Sequence, residues 1–384
     1  MTTRLSSDER HELAQSVRAA CDRLATEERI REVAFGDGGE QRGFDVELWR
    51  VLCRQVGVAA IALPQEFGGA GYGATALGVV AHELGRALAP VPFLASAVLA
   101  TGLMLDADQR QSDTLADRMS RLAEGQRTAA AVITGDGGMW DRAAVTLTAS
   151  SDGNDGWTID GSARHVLHGI AADDLVVVAL VDGEPGVFLV ERSAAGVTVE
   201  AERVLDWTRP MATLVLAGAA AARLSGAGPI DDLIQRGVDR ALTVLSAEQV
   251  GTCERVLEIA TEYARTREQF DRPIGSFQAI KHKCADMLVD LEWARSASQA
   301  ALHAADADTS GGAGEADWLA SMAKAVCSEA LRNAAHANVQ IHGGIGFTWE
   351  DSAHLYVRRA RTDEVLFGAP GLHWDRLATQ AKLL

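Results

Sequence analysis

Two short stretches of this sequence carry residue types in an order suited to a phosphate-bearing ligand. The first, REQFDRPIGSFQAIKHKCADM from Arg267 to Met287, sets a guanidinium (Arg267), two amides (Gln269 and Gln278) and an aromatic ring (Phe270) around a chain reversal. A guanidinium forks two phosphate oxygens, an amide donates and accepts at a polar edge, and a ring covers a flat heterocycle. The second is QIHGGIGFTWE, Gln340 to Glu350. Gly343, Gly344 and Gly346 remove the side chains from one short bend, so backbone N–H groups can come close to a phosphate or a flat ring. A third feature is Glu248 in LSAEQVG, with Ser246, Ala247, Val250 and Gly251 as small or apolar neighbours. An acid in such a setting is either a structural ion-pair or hydrogen-bonding group or a group that moves protons.

The elements that must position these residues are helices. Pro273 and Gly275 break one helical run, and from Ser276 the residues Phe277, Ile280, Cys284, Met287 and Leu288 recur at helical spacing, which predicts two antiparallel helices. A later helix, from about 317 to 339, delivers Gln340 to its bend, and Glu248 rides on the helix that precedes Arg267. At the other end of the chain, Leu13, Val17, Ala20 and Leu24 predict an amphipathic helix from Ser7 to about Ala34 behind a Ser7/Asp8 start. A second helix is expected over about 45–55, a glycine-broken loop after Pro64, and another helix over about 74–88. Between Arg127 and about Gly226 the apolar period changes to two, in short runs separated by Gly, Asp and Asn, which reads as an antiparallel β domain. The expected class is therefore α+β, with an N-terminal helical domain (1–126), a middle β domain (127–228) and a C-terminal helical region (229–384).

This order of elements, together with the Arg267–Met287 turn and the Gln340–Glu350 bend, resembles the acyl-CoA dehydrogenases over nearly the whole chain. The resemblance implies an N-terminal helical domain, a barrel-like middle and a C-terminal four-helix bundle. It also implies FAD as cofactor and α,β-dehydrogenation of an acyl-CoA thioester. By that likeness Arg267, Gln269, Phe270, Gln278, Gln340, Gly343 and Gly344 face the ADP half of an FAD bound mainly by a neighbouring subunit, and Thr134, with Gly137 and Gly138, faces the flavin.

The reaction requires a base near the α-carbon, and here the chain departs from the family pattern. Phe367 stands at the usual glutamate position and Ala241 at the alternative one, so Glu248, two turns beyond Ala241, is the candidate base, with Asp363 and Glu364 behind it. The flavin-packing Trp-Ile-Thr element is replaced by His165, Val166 and Leu167; His165 and His168 read more simply as hydrogen-bonded strand residues. Arg358, Arg359 and Arg361 form a run able to reach a CoA phosphate or to solvate a helix face. The likeness is to actinobacterial members, several of which act on steroid-derived thioesters and some of which are α2β2 heterotetramers. It implies a homo- or hetero-oligomer with a related subunit and an electron-transfer acceptor. The alternative is a structural subunit that completes a partner's FAD site, and a third reading is a flavoenzyme of the same fold acting on something other than a thioester.

Composition narrows the field further. With 384 residues, 47% of them hydrophobic and 23% charged, the chain suits two or three packed domains. A net charge of −17 argues against a nucleic-acid or anionic-membrane surface, so any phosphate site must be local. Five cysteines without a C-x-x-C pair predict neither a disulfide framework nor a metal site. No signal core and no long apolar run appear, and the expectation is a cytosolic protein.

Overall fold

The computed structural model describes residues 5–36, 43–107, 113–151, 153, 156–224, 229–307 and 315–380. The N-terminal helices are α1 (Ser7–Leu24), α2 (Glu27–Phe35), α3 (Val46–Val51), α4 (Ala74–Arg86), α5 (Thr101–Ala107) and α6 (Asp113–Ala123). The expected single helix over 7–34 is thus two. Thr26 ends the first by capping a second: its side chain accepts from Arg29 N, while Ser6 and Glu9 form a capping box at the start of α1. Asp45 caps α3 in the same way through Leu48 N and also takes Arg29 Nε at 2.7 Å, which fixes α2 against α3. The helix expected over 45–55 continues past Val51 as a π-helical turn that closes at Gly57, whose φ of 80° needs no Cβ.

Seven strands follow: β1 (Ala129–Val132), β2 (Thr148–Ser151), β3 (Trp157–Leu167), β4 (Asp174–Val181), β5 (Glu184–Glu191), β6 (Val197–Ala201) and β7 (Met211–Leu224). The pairings β4–β5, β5–β7, β7–β3, β3–β2 and β2–β4 run in a circuit, so the sheet closes on itself like a barrel. Ile159, Ala163, Val177, Phe188, Leu214 and Leu216 fill it. The sheet is mixed rather than wholly antiparallel, because β1 and β2 both pair with β4 in parallel.

Helices resume as α7 (Ile230–Thr266), α8 (Gln278–Ala307), α9 (Glu315–His342), α10 (Ala353–Val365) and α11 (Pro370–Gln380). The 228/229 boundary read from the sequence falls at the edge of the described residues. One core joins the N-terminal helices to β1 and to the first half of α7; a second lies among the C-terminal helices. Each fully buried Leu or Val in these cores contributes roughly 1.5–3 kcal/mol. Helices α4 and α7 cross backbone to backbone: a Cβ on Gly85 would stand 2.1 Å from Glu248 O, and one on Gly251 would stand 2.0 Å from His82 O. Among the described residues no helix is long and apolar enough to cross a membrane.

Candidate functional site

The two stretches singled out from the sequence meet in one groove of about 750 Å³, lined by Tyr263, Arg267, Gln269 and Phe270, by Phe277 and Ile280, and by Gln340 to Ile345. Helix α7 ends at Thr266, and a two-residue hairpin then pairs Glu268–Gln269 with Arg272–Pro273. Its turn residues, Phe270 and Asp271, both have positive φ (55° and 60°) without being glycine. That conformation costs roughly 1–2 kcal/mol per residue, the kind of local strain that clusters at ligand sites. It leaves the Phe270 ring 84% exposed over the groove, edge-on to Phe277 at 6.0 Å, with the Arg272 guanidinium 4.1 Å above the Phe277 ring.

On the opposite wall α9 ends at His342, whose ring stacks on Tyr263 at 4.1 Å and whose Nδ1 is bonded to Asn338 O at 2.9 Å. Gly343, at φ 65°, then turns the chain. No atom lies within 4 Å of a Cβ placed on Gly343 or Gly344, whereas one on Gly346 or Gly275 would press against backbone. Packing within this chain therefore explains Gly275 and Gly346. The bareness of Gly343 and Gly344 leaves the backbone of this bend open to close approach by whatever enters the groove. Gln340 is exposed on this wall; Gln278 begins α8 and is exposed, but the lining passes through its neighbours Ala279 and Ile280 instead.

Thr134 lies apart from the groove. It is buried, and its hydroxyl donates to Asp136 Oδ1 at 3.2 Å, which also accepts from Gly138 N at 3.0 Å. Thr134 and Gly138 border a niche of only about 20 Å³ with Gly137, Arg164, His165, Leu167 and Phe367. The Phe367 side chain is buried at its edge, with positive φ (56°), and its carbonyl is bonded to His373 Nε2 at 3.1 Å. His165 also has positive φ, at a bulge in β3; its Nδ1 lies 2.5 Å from Glu202 Oε2 and its backbone N–H donates to Oε1 at 3.0 Å. Burial pushes Glu202 up, but the His165 amide, Thr213 and the His165 ring together bring it below the ordinary carboxylate range. Neither Asp136 nor Glu202 was picked out from sequence, because each acts on a loop or strand it meets only after folding.

Glu248 requires a correction to its expected surroundings. Far from lying among small apolar groups alone, its Oε1 accepts from Arg209 and, at 2.6 Å, from Arg359 Nη1. Arg359 also reaches Asp206 at 2.7 Å and Thr208 Oγ1 at 2.7 Å. The geometry is that of a buried ion-pair hub tying the β6–β7 connection to α7 and α10. The Arg358–Arg361 run is likewise occupied internally: Arg359 is enclosed here, Arg358 donates to Leu205 O at 3.0 Å, and Arg361 pairs with Glu364. Ala241 is wholly buried in the core. The five cysteines are free, four of them buried, and burial pushes Cys21 and Cys253 up to about 12. Among the described residues no cluster of three His, Cys, Asp or Glu could hold a metal ion.

Comparison with known proteins gives the geometry a family. Residues 7–121 match the model described as acyl-CoA dehydrogenase, N-terminal domain, and residues 232–382 match acyl-CoA dehydrogenase, C-terminal domain. The chain is 33% identical to acyl-CoA dehydrogenase IpdE2 of Mycobacterium tuberculosis, with 94% of each chain covered. It is 34% identical to acyl-CoA dehydrogenase FadE27 of the same organism, with 91% of each covered. Among solved structures it resembles the ChsE4–ChsE5 complex from Mycobacterium tuberculosis (TM-score 0.86, 30% identity, 99% of each chain). It also resembles a variant of the Tcur3481–Tcur3483 steroid ACAD (TM-score 0.85, 30% identity, 98% of each chain).

Proposed function

The chain belongs to the acyl-CoA dehydrogenase family, flavin-dependent oxidoreductases, and from that premise we propose that it is one subunit of an oligomeric enzyme that dehydrogenates an acyl-CoA thioester between Cα and Cβ. Its part is to hold the ADP half of an FAD whose flavin end is seated chiefly in a neighbouring, related chain. The observation that carries this reading is the contrast between the open groove of about 750 Å³ and the niche of about 20 Å³ closed by Phe367. On this reading Arg267 would fork the diphosphate, the bare backbone at Gly343 and Gly344 would let it approach closely, Phe270 would cover the adenine, and Gln269 and Gln340 would meet polar edges. FAD, when bound, accepts the hydride that leaves Cβ. Electrons then pass to an electron-transfer acceptor.

For the proton that leaves Cα, this chain offers no free base at either familiar position, since Phe367 and Ala241 cannot take one. Glu248 holds both Arg209 and Arg359 on its Oε1 and so anchors three elements. These observations favour the reading in which the base comes from the unlike partner. The steroid ACAD in the comparisons makes a steroid-derived CoA thioester the first substrate to try.

The test is to purify the chain alone and together with a related partner, and to follow flavin absorbance on adding the thioester. The expected result is flavin retained only by the complex, bleached there by the thioester, and largely lost when this chain carries Arg267→Ala. A chain that is yellow and bleached on its own would overturn the division of labour.

A further inference from the structure

A cavity of about 470 Å³ lies where α1, α4, α7 and α8 meet, and it shares no lining residue with the groove or the niche. Two of its walls are single helix stripes. Ser7, Arg10, His11 and Ala14 face it from α1, and Thr75, Gly78, Val79 and His82 from α4, in both cases at i, i+3, i+4 and i+7. Helix α8 adds Arg295, Gln299 and His303 at four-residue spacing, with Ser298 and Leu302 next to them in sequence. Ala247 and Val250 close the cavity from α7, which turns a different face, with Glu248, toward the hub where Arg209 Nε lies 3.2 Å from Asp363 Oδ1. Leu302 is roughly half a circle around α8 from the exposed Trp293, so a chain packed over Trp293 approaches the opposite side of that helix.

The charge of this lining runs against that of the chain. With 53 acidic and 36 basic residues the protein is net −17, yet the cavity gathers two arginines and three of the ten histidines against one carboxylate, Glu83. That carboxylate is already neutralised: Arg18 holds it through two bonds of 2.8 Å, and the His82 ring lies 3.2 Å away. Glu254 takes the other side of the His82 ring at 3.1 Å and holds Arg295 at 3.1 Å. Donors are left over. Arg10 makes only a long bond from Nε to Ser6 O, at 3.4 Å, and pairs with no carboxylate among the described residues. His303 and Gln299, both exposed, have no hydrogen-bond partner among the described residues, and Thr75 Oγ1 is enclosed without one. Between these polar groups the surface is apolar, formed by Ala14, Val79, Ala247, Val250 and Leu302.

We propose that this cavity is a binding site for a monocarboxylate with a compact apolar body, the head forked by Arg10 and bonded by His303 and Gln299, the body laid over Val79, Val250 and Leu302. A planar carboxylate carries one charge, which a single free guanidinium meets with two parallel bonds. A dianionic phosphate would set a second charge near Glu83 and near Asp306, whose carboxylate caps α4 through Thr75 N at 3.3 Å. The site rests on this lining alone, whatever the groove binds.

Calorimetric titration of the full chain with octanoate tests it, with octanol as the tail without the head and acetate as the head without the tail. Octanoate is expected to saturate at one per chain and to weaken as salt rises, and octanol and acetate to bind at least about tenfold less tightly. Arg10→Gln combined with His303→Gln is expected to weaken octanoate at least about tenfold. Arg10 is half-buried and His303 exposed, so the double variant is expected to melt with the wild type. Arg267→Ala, which alters the groove, is expected to leave octanoate binding intact. Octanoate that does not saturate, octanol that binds as well, or a double variant with wild-type affinity would each overturn the proposal. So would octanoate binding that disappears with Arg267→Ala, since the ligand would then sit in the groove.

Discussion

At the scale of single residues, the groove and the ion-pair hub answer differently to substitution. Gly344 has open space where a side chain would go, so Gly344→Val is expected to leave stability within about 0.5 kcal/mol of the wild type. The same isopropyl group stands where a diphosphate must approach. Titration with ADP is expected to show a loss of at least about tenfold; unchanged ADP affinity would move the phosphate site elsewhere. Glu248→Gln takes a charge from between two buried guanidiniums, and breaking a buried pair from one side costs about 3 kcal/mol. Urea titration is expected to show that loss while turnover per folded complex persists. Lost turnover in an undiminished fold would instead make Glu248 the base. The groove residues could be read from sequence because Arg267–Phe270 and Gln340–Gly344 are each contiguous. The hub could not: Asp206, Arg209, Glu248, Arg359 and Asp363 are dispersed over some 160 positions, and only the fold brings their charges together.

At the scale of elements, the α4–α7 crossing shows what a hydrophobic pattern leaves out. Helical periodicity located both helices, but not that Gly85 and Gly251 let their backbones touch, nor that Thr26 would divide the first helix in two. Gly251→Ala would press a methyl onto His82 O; the expected loss is about 3 kcal/mol, read from a urea midpoint, and a shift below 1 kcal/mol would mean the helices can slide apart freely. Beside the crossing, the His82 ring joins Glu83 at 3.2 Å and Glu254 at 3.1 Å, while Arg18 reaches Glu83 and Arg86 reaches Glu254. Burial lowers the imidazole, but Glu254 and Glu83 outweigh it and the net shift is upward; Glu254 is drawn down to about 2, chiefly by His82. Because the folded value is raised, the stability that charged His82 confers is fully present below about pH 6.5 and is lost as pH rises through the folded value. Melting curves of the wild type and of His82→Gln are expected to converge as pH rises from 6 to 8. Parallel curves would remove His82 from the crossing's energetics.

At the scale of the whole molecule, this chain alone leaves its principal groove open to water and several large apolar side chains uncovered. Trp293 is 70% exposed on α8, with Leu288 and Val289 beside it on the same helix, and Phe347 and Trp349 are exposed just past the glycine bend. A chain of net charge −17 has little reason to display so many large apolar side chains unless something covers them. The helix–sheet–helix order was plain in the sequence, since it rests on periodicity; what covers α8 was not, since an outward apolar residue on a helix looks the same whether its partner is the same chain or another. If a neighbouring chain both covers α8 and supplies the flavin end of the site, assembly and flavin retention must fall together. Trp293 lies on α8 more than three turns beyond Ile280, the last residue of that helix to line the groove, yet in the partnered complex Trp293→Glu is expected to shift sedimentation toward smaller species and to release flavin in proportion. An intact assembly would show that the neighbouring chain does not cover α8 at Trp293, and a dissociated chain that still holds its flavin would show that the groove needs no second chain.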